Sequence, residues 1–231
     1  MDGVLADFAA AYREYEERIF GSSAATTRAG DPEEEAAAEM ERAERTGNSI
    51  RQPPVVESPS EQRRRRDLIW QAIEETSDFW TSLRPLDTGA VARLHALALQ
   101  HRWEVFFITQ RPATSGDTVQ RQTQRWLIAQ GFDMPSVLVI SGSRGAAAAA
   151  LRLDYHVDDS ARNCIEVKAQ SGAKPLLIVE PGEETTIVSA RKLGIGTASG
   201  ISECLGILDQ ASLARTQPTL LDRLARLVGW Q

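Results

Sequence analysis

Strand-like segments alternate with helical segments along most of the chain, and no other feature constrains the possible folds as strongly. Residues 105–108 form an uninterrupted run of β-branched and aromatic side chains, which is typical of a strand buried on both faces. The alternation places further strands at 137–140, 155–158 and 176–179. Because helices connect these strands, right-handed crossovers should bring them into one parallel sheet. We therefore predict an α/β fold with a doubly wound, Rossmann-like parallel sheet.

Helical periodicity and capping signals place the helices between these strands. The predicted helical segments are residues 6–20, 87–100, 145–153, 161–169, 201–208 and 220–228. Asp87 is the expected cap of the second of them. Thr114 and Asp117 are the expected caps of another helix, which should end at Gly131.

A further helix start is predicted at Ser58, which is followed by Pro59 and, three residues after the cap, by Glu61. Apolar residues then fall on one helical face, namely Ile69, Ile73, Trp80 and Leu83. The arginines at 63–66 lie close to an acidic stretch upstream. We interpret them as a solvated surface rather than as a nucleic-acid site.

The segment at 21–59 differs from the rest of the chain, because most of its side chains are small, polar or charged and it is rich in proline. With almost no large apolar side chains to bury, it should be flexible or disordered, apart from a solvated helix at 33–45. The predicted organisation is an α/β core at 1–20 and 84–231. A small helical cap, residues 21–83, is inserted into it.

The charge balance excludes several classes of function. The chain has 26 basic and 32 acidic side chains, which gives a net charge of −6. Duplex nucleic acid is therefore not an expected partner, because binding to it rests on clustered Lys and Arg. No apolar run approaches the roughly 20 residues that span a bilayer, and we expect no secretory signal. The two cysteines do not make a disulfide framework. We expect a soluble, cytoplasmic protein; its oligomeric state is not predictable from the sequence.

Polar and charged residues follow the predicted strands at their carboxyl ends, where open parallel sheets bind ligands. They are Thr109, Gln110 and Arg111, then residues 141–144, then Asp158 and Asp159. Adjacent carboxylates repel each other unless a cation neutralises them, and hard oxygen ligands suit Mg²⁺. A metal with a hydroxyl and a basic side chain fits a phosphate group. Alternatively, the two aspartates are a helix cap and an exposed charge.

Residues 1–8 read MDGVLADF, which closely resembles the first motif of the haloacid dehalogenase superfamily of phosphohydrolases. The later motifs of that family occur in the same order: Thr109 after a hydrophobic strand, then a basic residue, then Asp158 with Asp159. Residues 2–8, and DFWTSLRPL at 78–86, also resemble the 5'(3')-deoxyribonucleotidase branch. The resemblance extends to about residue 179, except over the insert.

The resemblance implies a role for each matching residue. Asp2 would be the general acid and base, and its main-chain carbonyl would bind Mg²⁺. Asp158 and Asp159 would hold the same metal ion. Thr109 would donate a hydrogen bond to a phosphoryl oxygen, helped by the turn that follows it.

Two further assignments have alternatives. Arg144 stands where the family usually places a lysine, and Lys168 is the other candidate for this basic role. Phe79 and Trp80 lie in the segment that corresponds to the family's cap. There they either cover the substrate and stack on a base, or belong to the core.

The motif departs from the family pattern at its first position. The family's nucleophile is an aspartate two positions before the general acid, which here would directly precede Met1, and the hydrophobic strand before it is absent too. Four or five buried aliphatic side chains at roughly 1.5–3 kcal/mol each supply much of a domain's net stability of about 5–15 kcal/mol. We therefore expect Met1 to be an internal residue of a native chain that continues upstream. Intact-mass measurement of the native protein would test this.

The expected function is that of a Mg²⁺-dependent phosphomonoesterase acting on a small phosphorylated metabolite, such as a 5'-nucleotide. An aspartyl-phosphate would form on the upstream nucleophile, so residues 1–231 alone should show little or no turnover. The alternative is a non-catalytic protein of the same fold that binds phosphate or a nucleotide. A receiver-like signalling domain is less consistent, because its acidic pair follows the first strand.

Overall fold

The computed structural model describes residues 1–21 and 58–216, where helices and strands alternate from Ala90 onward, which confirms an α/β fold. The helices are α1 (Phe8–Phe20), α2 (Pro59–Glu75), α3 (Ala90–His101), α4 (Val119–Ala129), α5 (Arg144–Leu151), α6 (Ala161–Gln170), α7 (Glu184–Lys192) and α8 (Ile201–Thr216), with a 3₁₀ turn at Phe79–Thr81. The strands are β1 (Phe106–Thr109), β2 (Ser136–Val139), β3 (Tyr155–Asp158), β4 (Lys174–Ile178) and β5 (Gly196–Ala198).

The strands of the described residues form two parallel sheets. In the first sheet β1 pairs with β2, and Thr109 lies opposite Val139. In the second sheet β4 lies between β3 and β5, and Asp158 lies opposite Leu177. Every pairing is parallel, as the helical connections predict. Strands β1 and β3 do not pair with each other in this part of the chain, so the arrangement differs from the single sheet that the alternation predicts.

Both sheets contribute to one apolar core. Phe107 and Val137 of the first sheet belong to the same cluster of buried side chains as Leu176 and Ala198 of the second. Helix α8 links the two sheets, because it packs against α3, which leads into β1, and against β4 and β5. The two sheets are therefore parts of one folded unit.

Helix α2 begins as predicted but ends earlier than expected. The side chain of Ser58 accepts a hydrogen bond from the main-chain N–H of Glu61, and the Glu61 carboxylate accepts one from the N–H of Ser58. At Asp78 the chain takes the left-handed conformation, with φ of 55°. The predicted helical face therefore does not continue to Trp80 and Leu83, and that prediction was wrong.

Two other helix starts differ from the predictions. Helix α4 is capped by Thr118, not by Thr114 or Asp117, because both of these side chains bind side chains of α4 instead. Helix α3 begins after Gly89, since the carboxylate of Asp87 accepts a hydrogen bond from α8. In both cases a tertiary contact takes the side chain that the local pattern assigns to a cap.

The remaining predictions have mixed outcomes. Helix α8 is longer than predicted, and helix α7 and strand β5 were not predicted at all. The predicted helices at 33–45 and 220–228, and nearly all of the segment at 21–59, lie outside the described residues. No helix in the described ranges has both the length and the apolar character needed to cross a membrane.

Candidate functional site

The first six residues form a tight loop. The main-chain carbonyl of Met1 accepts hydrogen bonds from the N–H groups of Leu5 and Ala6, with N···O distances of 2.9 and 3.2 Å. Two more main-chain hydrogen bonds tie the loop to the segment that follows the 3₁₀ turn. Both Leu5 and Ala6 are buried in the core. The loop is thereby held in place, and it carries Asp2 and Gly3.

Arg111 binds Asp2 through two nitrogens. It lies two residues beyond the end of β1. Its Nη2 donates to Oδ1 of Asp2 at 2.5 Å and its Nε donates to Oδ2 at 2.9 Å. The side chain of Arg111 is 1% exposed and that of Asp2 is 27% exposed. This bidentate ion pair fixes the loop at the carboxyl end of the first sheet.

Two further contacts fix the guanidinium of Arg111. Its Nη1 donates to Oγ1 of Thr123 at 2.9 Å, and its carbon lies 4.7 Å from the centre of the Trp80 ring. Trp80 is itself buried, and its Nε1 donates to the carbonyl of Pro112 at 3.0 Å. Trp80 and its neighbour Phe79 therefore belong to the core beneath the site. A role for Trp80 in stacking on a substrate stays a prediction.

The ion pair controls the protonation of Asp2. Burial alone would raise the pKa of this carboxyl, but the charge and the hydrogen bonds of Arg111 hold the pKa below its ordinary value. Asp2 is therefore ionised at neutral pH. It is a poor proton donor for as long as Arg111 holds it.

Gly3 lets the loop approach the carboxyl end of β3. Its φ is +69°, in the left-handed region that favours glycine. A Cβ atom at this position would lie 1.8 Å from Oδ2 of Asp159, which is too close for any real contact. The carboxyl of Asp159 thus packs directly against the main chain of Gly3, and the acidic pair lies beside the loop that carries Asp2.

Asp158 ends β3 and has three partners. Its Oδ2 lies 3.0 Å from Nε2 of His156, while its Oδ1 accepts hydrogen bonds from the N–H of Ser160 at 3.0 Å and from Nδ2 of Asn163 at 3.1 Å. Helix α6 is capped by Ser160. The alternative in which an aspartate caps this helix is therefore wrong.

The two adjacent aspartates have opposite pKa shifts. Burial would raise the pKa of Asp158, but the contact with His156 and the other hydrogen bonds lower it to about 2. Asp159 is exposed as a residue, as the alternative in the sequence analysis has it. Its carboxyl nevertheless packs against Gly3, and this partial loss of solvent, followed by the charge of Asp158, raises its pKa to about 6. The charge of Asp2 acts on Asp159 in the same direction. Asp159 thus lies in the field of two other carboxylates, and a cation beside it would be favourable.

Thr109 and Gln110 lie where the sequence places them. Thr109 is the last residue of β1 and is 2% exposed, while Gln110 is exposed. Thr109 precedes Arg111 by two residues, so it lies at the sheet end that Asp2 joins. The structure therefore gathers Asp2, Arg111 and Asp159, with Thr109 and Asp158 close to them along the chain.

The two candidates for the basic role lie in different surroundings. Arg144 begins helix α5, and its Nη1 is buried without a hydrogen-bond partner among the described residues. Lys168 is exposed, and its Nζ lies 3.5 Å from the position of a Cβ atom on Gly194, just before the amino end of β5. Lys168 is thus at the edge of the sheet opposite to the site. The assignment of the basic role to Arg144 stays a prediction.

The metal prediction rests on the chemistry of the donors. No cluster of three His, Cys, Asp or Glu side chains in the described ranges has the geometry of a metal site as it stands. Arg111 engages the carboxylate of Asp2, whereas Asp159 has no ion pair with a described residue. Carboxylate oxygens in a crowded acidic group are ligands that suit Mg²⁺. A Mg²⁺ site here stays a prediction, and it would require Asp158 to give up contacts with His156, Ser160 or Asn163.

Several side chains of the site escaped the sequence analysis. His156 precedes Asp158 by two residues on the same strand, so both side chains share one face, and this spacing is a usable signal. Thr123 and Asn163 lie on helices, and nothing local marks them as partners of Arg111 and Asp158. Their roles follow only from the tertiary fold.

Comparison of the chain with protein-family models, with curated proteins and with solved structures gave no match. The resemblance to the haloacid dehalogenase superfamily thus stays a prediction from the motifs. The geometry of the site is the evidence on which a function can be argued.

Proposed function

We propose that the protein is a Mg²⁺-dependent phosphomonoesterase of the haloacid dehalogenase type, acting on a small phosphorylated metabolite such as a 5'-nucleotide. One observation carries the proposal: Asp2 binds Arg111 beyond β1, and its neighbour Gly3 contacts Asp159 beyond β3. Acidic and basic groups from three distant segments thus meet at the strand ends. A cation and a phosphate group need this combination of charges.

In this proposal the site residues divide between binding the metal ion and binding the phosphate. Mg²⁺ would be held by the main-chain carbonyl of Asp2 and by Asp158 and Asp159, and it would screen the charge of the phosphate. Thr109 would donate a hydrogen bond to a phosphoryl oxygen. The cationic side chains of Arg111 and Arg144 and the amide of Gln110 would bind the remaining oxygens, with Trp80 beneath them.

The reaction also needs a nucleophile. An aspartate upstream of Met1 would attack phosphorus and form an aspartyl-phosphate. Asp2, once released by Arg111 and protonated from solvent, would give its proton to the leaving oxygen. Asp2 would then take a proton from the water that hydrolyses this intermediate. Because the proposal places this nucleophile outside residues 1–231, it includes little turnover by residues 1–231 alone.

A second candidate is a non-catalytic binder of phosphate or of a nucleotide. The observation that favours it is the ion pair, because Arg111 keeps Asp2 ionised and so prevents it from acting as an acid. Catalysis requires this pair to open when the substrate arrives. Binding alone does not.

The proposal extends to the organisation of the chain. It assigns a doubly wound core to 1–20 and 84–231 and a helical cap to 21–83, of which helix α2 and the 3₁₀ turn are described. The substrate would lie between the cap and the strand ends. A cytoplasmic location and the absence of duplex nucleic acid as a partner stay predictions from the sequence.

Phosphate-release assays separate the two candidates. We would compare residues 1–231 with a chain that carries an apolar strand ending in Asp before Met1, using nucleoside monophosphates and an aryl phosphate with Mg²⁺. Turnover by the extended chain alone, lost in Thr109→Ala and in Asp158→Asn, is the result expected of the enzyme. Failure of both chains on all substrates would favour the binder. Activity that survives both substitutions together would contradict the site assignment.

A further inference from the structure

A groove opens at the amino ends of β1 and β2, on the edge of the sheet opposite to the candidate site. It has a volume of about 340 Å³ and lies between helix α3, the segment that leads into β1 and the loop before β2. Leu99 and Met134 line it and are 69% and 84% exposed, the highest values among the large apolar residues of the described ranges. Exposed apolar residues that gather in one patch are typical of an interaction site.

Aromatic residues of the core form the floor and one wall of this groove. Phe132 is buried, and its ring centre lies 4.9 Å from those of His95 and Phe107. Trp103 forms the wall nearest to helix α8, and its Nε1 donates a hydrogen bond to Oγ of Ser212 at 3.0 Å. The groove is therefore built on packed side chains, and one of its walls touches α8.

The sequence after helix α8 predicts one more, separate helix. Pro218 lies two residues beyond the end of α8, and proline cannot continue a helix because it has no N–H to donate. Thr219, followed by Asp222 three residues later, is a capping signal, and Gly229 is a typical residue after a helix end. These signals agree with the helix that periodicity predicts at 220–228.

This predicted helix has an apolar face that needs a surface to cover. Helical spacing brings five residues to one face: Leu220, Leu221, Leu224, Leu227 and Val228. Isolated helices shorter than about 12–15 residues are marginal in water, and the segment 220–228 has nine. It can therefore form a stable helix only by packing against an apolar surface.

The groove is within reach of this segment. Helix α8 ends at Thr216, and the three residues at 217–219 span about 10 Å when extended. Four residues before that end, Ser212 already contacts the Trp103 wall. At the rim, Glu104 forms no ion pair with a described residue, whereas Arg223 flanks the apolar face of the segment. Length and charge thus both favour the groove.

A second cavity near the end of α8 is less suitable. It has a volume of about 560 Å³, lies between the carboxyl ends of α5 and α6, and borders Asp154, which pairs with Arg215. Leu153 is the only large apolar residue among the described residues that line it. Arg152, also in the lining, would repel Arg223. This cavity offers the leucine face little to pack against.

We propose that the groove is the docking site of residues 220–228 of the same chain, bound as an amphipathic helix through its leucine face. The docked helix covers Leu99 and Met134 and places Arg223 near Glu104. Helix α3 is then enclosed on two sides, because His101 faces α8 while Leu99, two residues earlier, faces the groove.

Disulfide trapping in residues 1–231 tests the docking. We would combine Met134→Cys with Leu224→Cys, because Leu224 is at the centre of the apolar face. The matched control combines Met134→Cys with Asp222→Cys, which has nearly the same tether length but lies on the opposite helical face. The native thiols of Cys164 and Cys204 are buried and do not compete. Circular dichroism checks that both variants fold, and mass spectrometry of the digested chains identifies the disulfides.

The expected result is a disulfide within one chain that forms about tenfold or more faster with Leu224→Cys than with Asp222→Cys, because docking raises the effective concentration of the facing thiol. Equal rates would overturn the proposal, since an undocked tether presents both positions alike. The absence of a disulfide from both folded variants would overturn it too. A disulfide between two chains would overturn the proposed occupant, because the groove would then bind the segment of a second copy.

Discussion

At the scale of the residue, the ion pair between Asp2 and Arg111 holds the N-terminal loop against the first sheet. Arg111→Met keeps an unbranched side chain over Trp80 but leaves the carboxylate of Asp2 without its partner. Because removing one member of a buried pair leaves an uncompensated charge, we expect the free energy of unfolding to fall by about 3 kcal/mol. Urea unfolding followed by circular dichroism measures this.

The double variant Asp2→Asn with Arg111→Met is the control for that prediction. It removes both charges, so it should be more stable than Arg111→Met alone. If the two single substitutions instead added independently, the pair would not couple and the loop would be held by its main-chain bonds alone.

Gly3 makes a separate prediction, because its contact is steric. Gly3→Ala places a Cβ atom where Oδ2 of Asp159 now lies and puts alanine at a φ of +69°. We expect a loss of about 1–2 kcal/mol from the left-handed backbone and a displaced Asp159. Gly142→Ala is the matched control, since Gly142 follows the next strand and has open space around it. Equal stabilities of the two variants would contradict the close approach of Gly3 to Asp159.

The sequence did not predict which side chains of the site contact one another. Asp2, Thr109 and Asp158 stand in recognisable motifs, so their placement at the strand ends was predictable. The pairing of Asp2 with Arg111 joins residues 109 positions apart, and no local pattern encodes it. Periodicity reports which face of an element is apolar, but not which element lies opposite.

At the scale of the element, Asp78 is one of the residues that join the end of helix α2 to the segment before helix α4. Its Oδ1 accepts the main-chain N–H of Asp117 at 2.9 Å, and its Oδ2 binds Arg125 at 2.9 Å. These hydrogen bonds hold the pKa of Asp78 below its ordinary value, and the bond from the Asp117 N–H contributes most. A carboxyl with a lowered pKa in the folded state stabilises that state above the ordinary pKa, and the contribution is lost as pH falls.

Asp78→Asn tests this connection. Asparagine tolerates the left-handed conformation and can still accept the N–H of Asp117, but it cannot ionise. We therefore expect the variant to be less stable than the parent chain at pH 7, with a difference that shrinks as pH falls below about 4. Urea unfolding at several pH values measures it. Asp133→Asn, at an exposed site, is the control and should be as stable as the parent chain. If the difference in stability between Asp78→Asn and the parent chain stayed constant with pH, the prediction would be contradicted.

Strands were predictable where a run of buried apolar side chains alone determines the element. The apolar run at 105–108 became β1 with a shift of one residue, and the segment at 155–158 is β3 as predicted. Helix ends were less predictable, because Thr114, Asp117 and Thr118 all have capping side chains. Contacts with α4 engage the first two, which leaves Thr118 as the cap.

At the scale of the whole molecule, the division between β1 and β3 explains why the sequence predicts the class of fold but not its sheet. Alternation implies parallel strands, and every pairing between the described strands β1 to β5 is parallel. Strand order across a sheet depends on which strand lies beside which, and the alternation along the chain does not encode that order. In the described residues β1 and β3 do not pair with each other. The candidate site lies at the carboxyl ends of β1 and β3, on either side of this division. The position of β1 relative to β3 therefore also determines how the site residues come together.

Metal binding provides the test at this scale. If Mg²⁺ binds the folded chain at this site, it should raise the free energy of unfolding by about 2.7 kcal/mol at a concentration one hundred times its dissociation constant, and a chelator should reverse the effect. Asp158→Asn should lose most of this stabilisation. Asp154→Asn is the matched control, because Asp154 precedes the same strand at its amino end and pairs with Arg215 at 3.2 Å. Stabilisation that Asp158→Asn retains and Asp154→Asn loses would place the ion at the opposite edge of the sheet, where the proposed reaction has no residues.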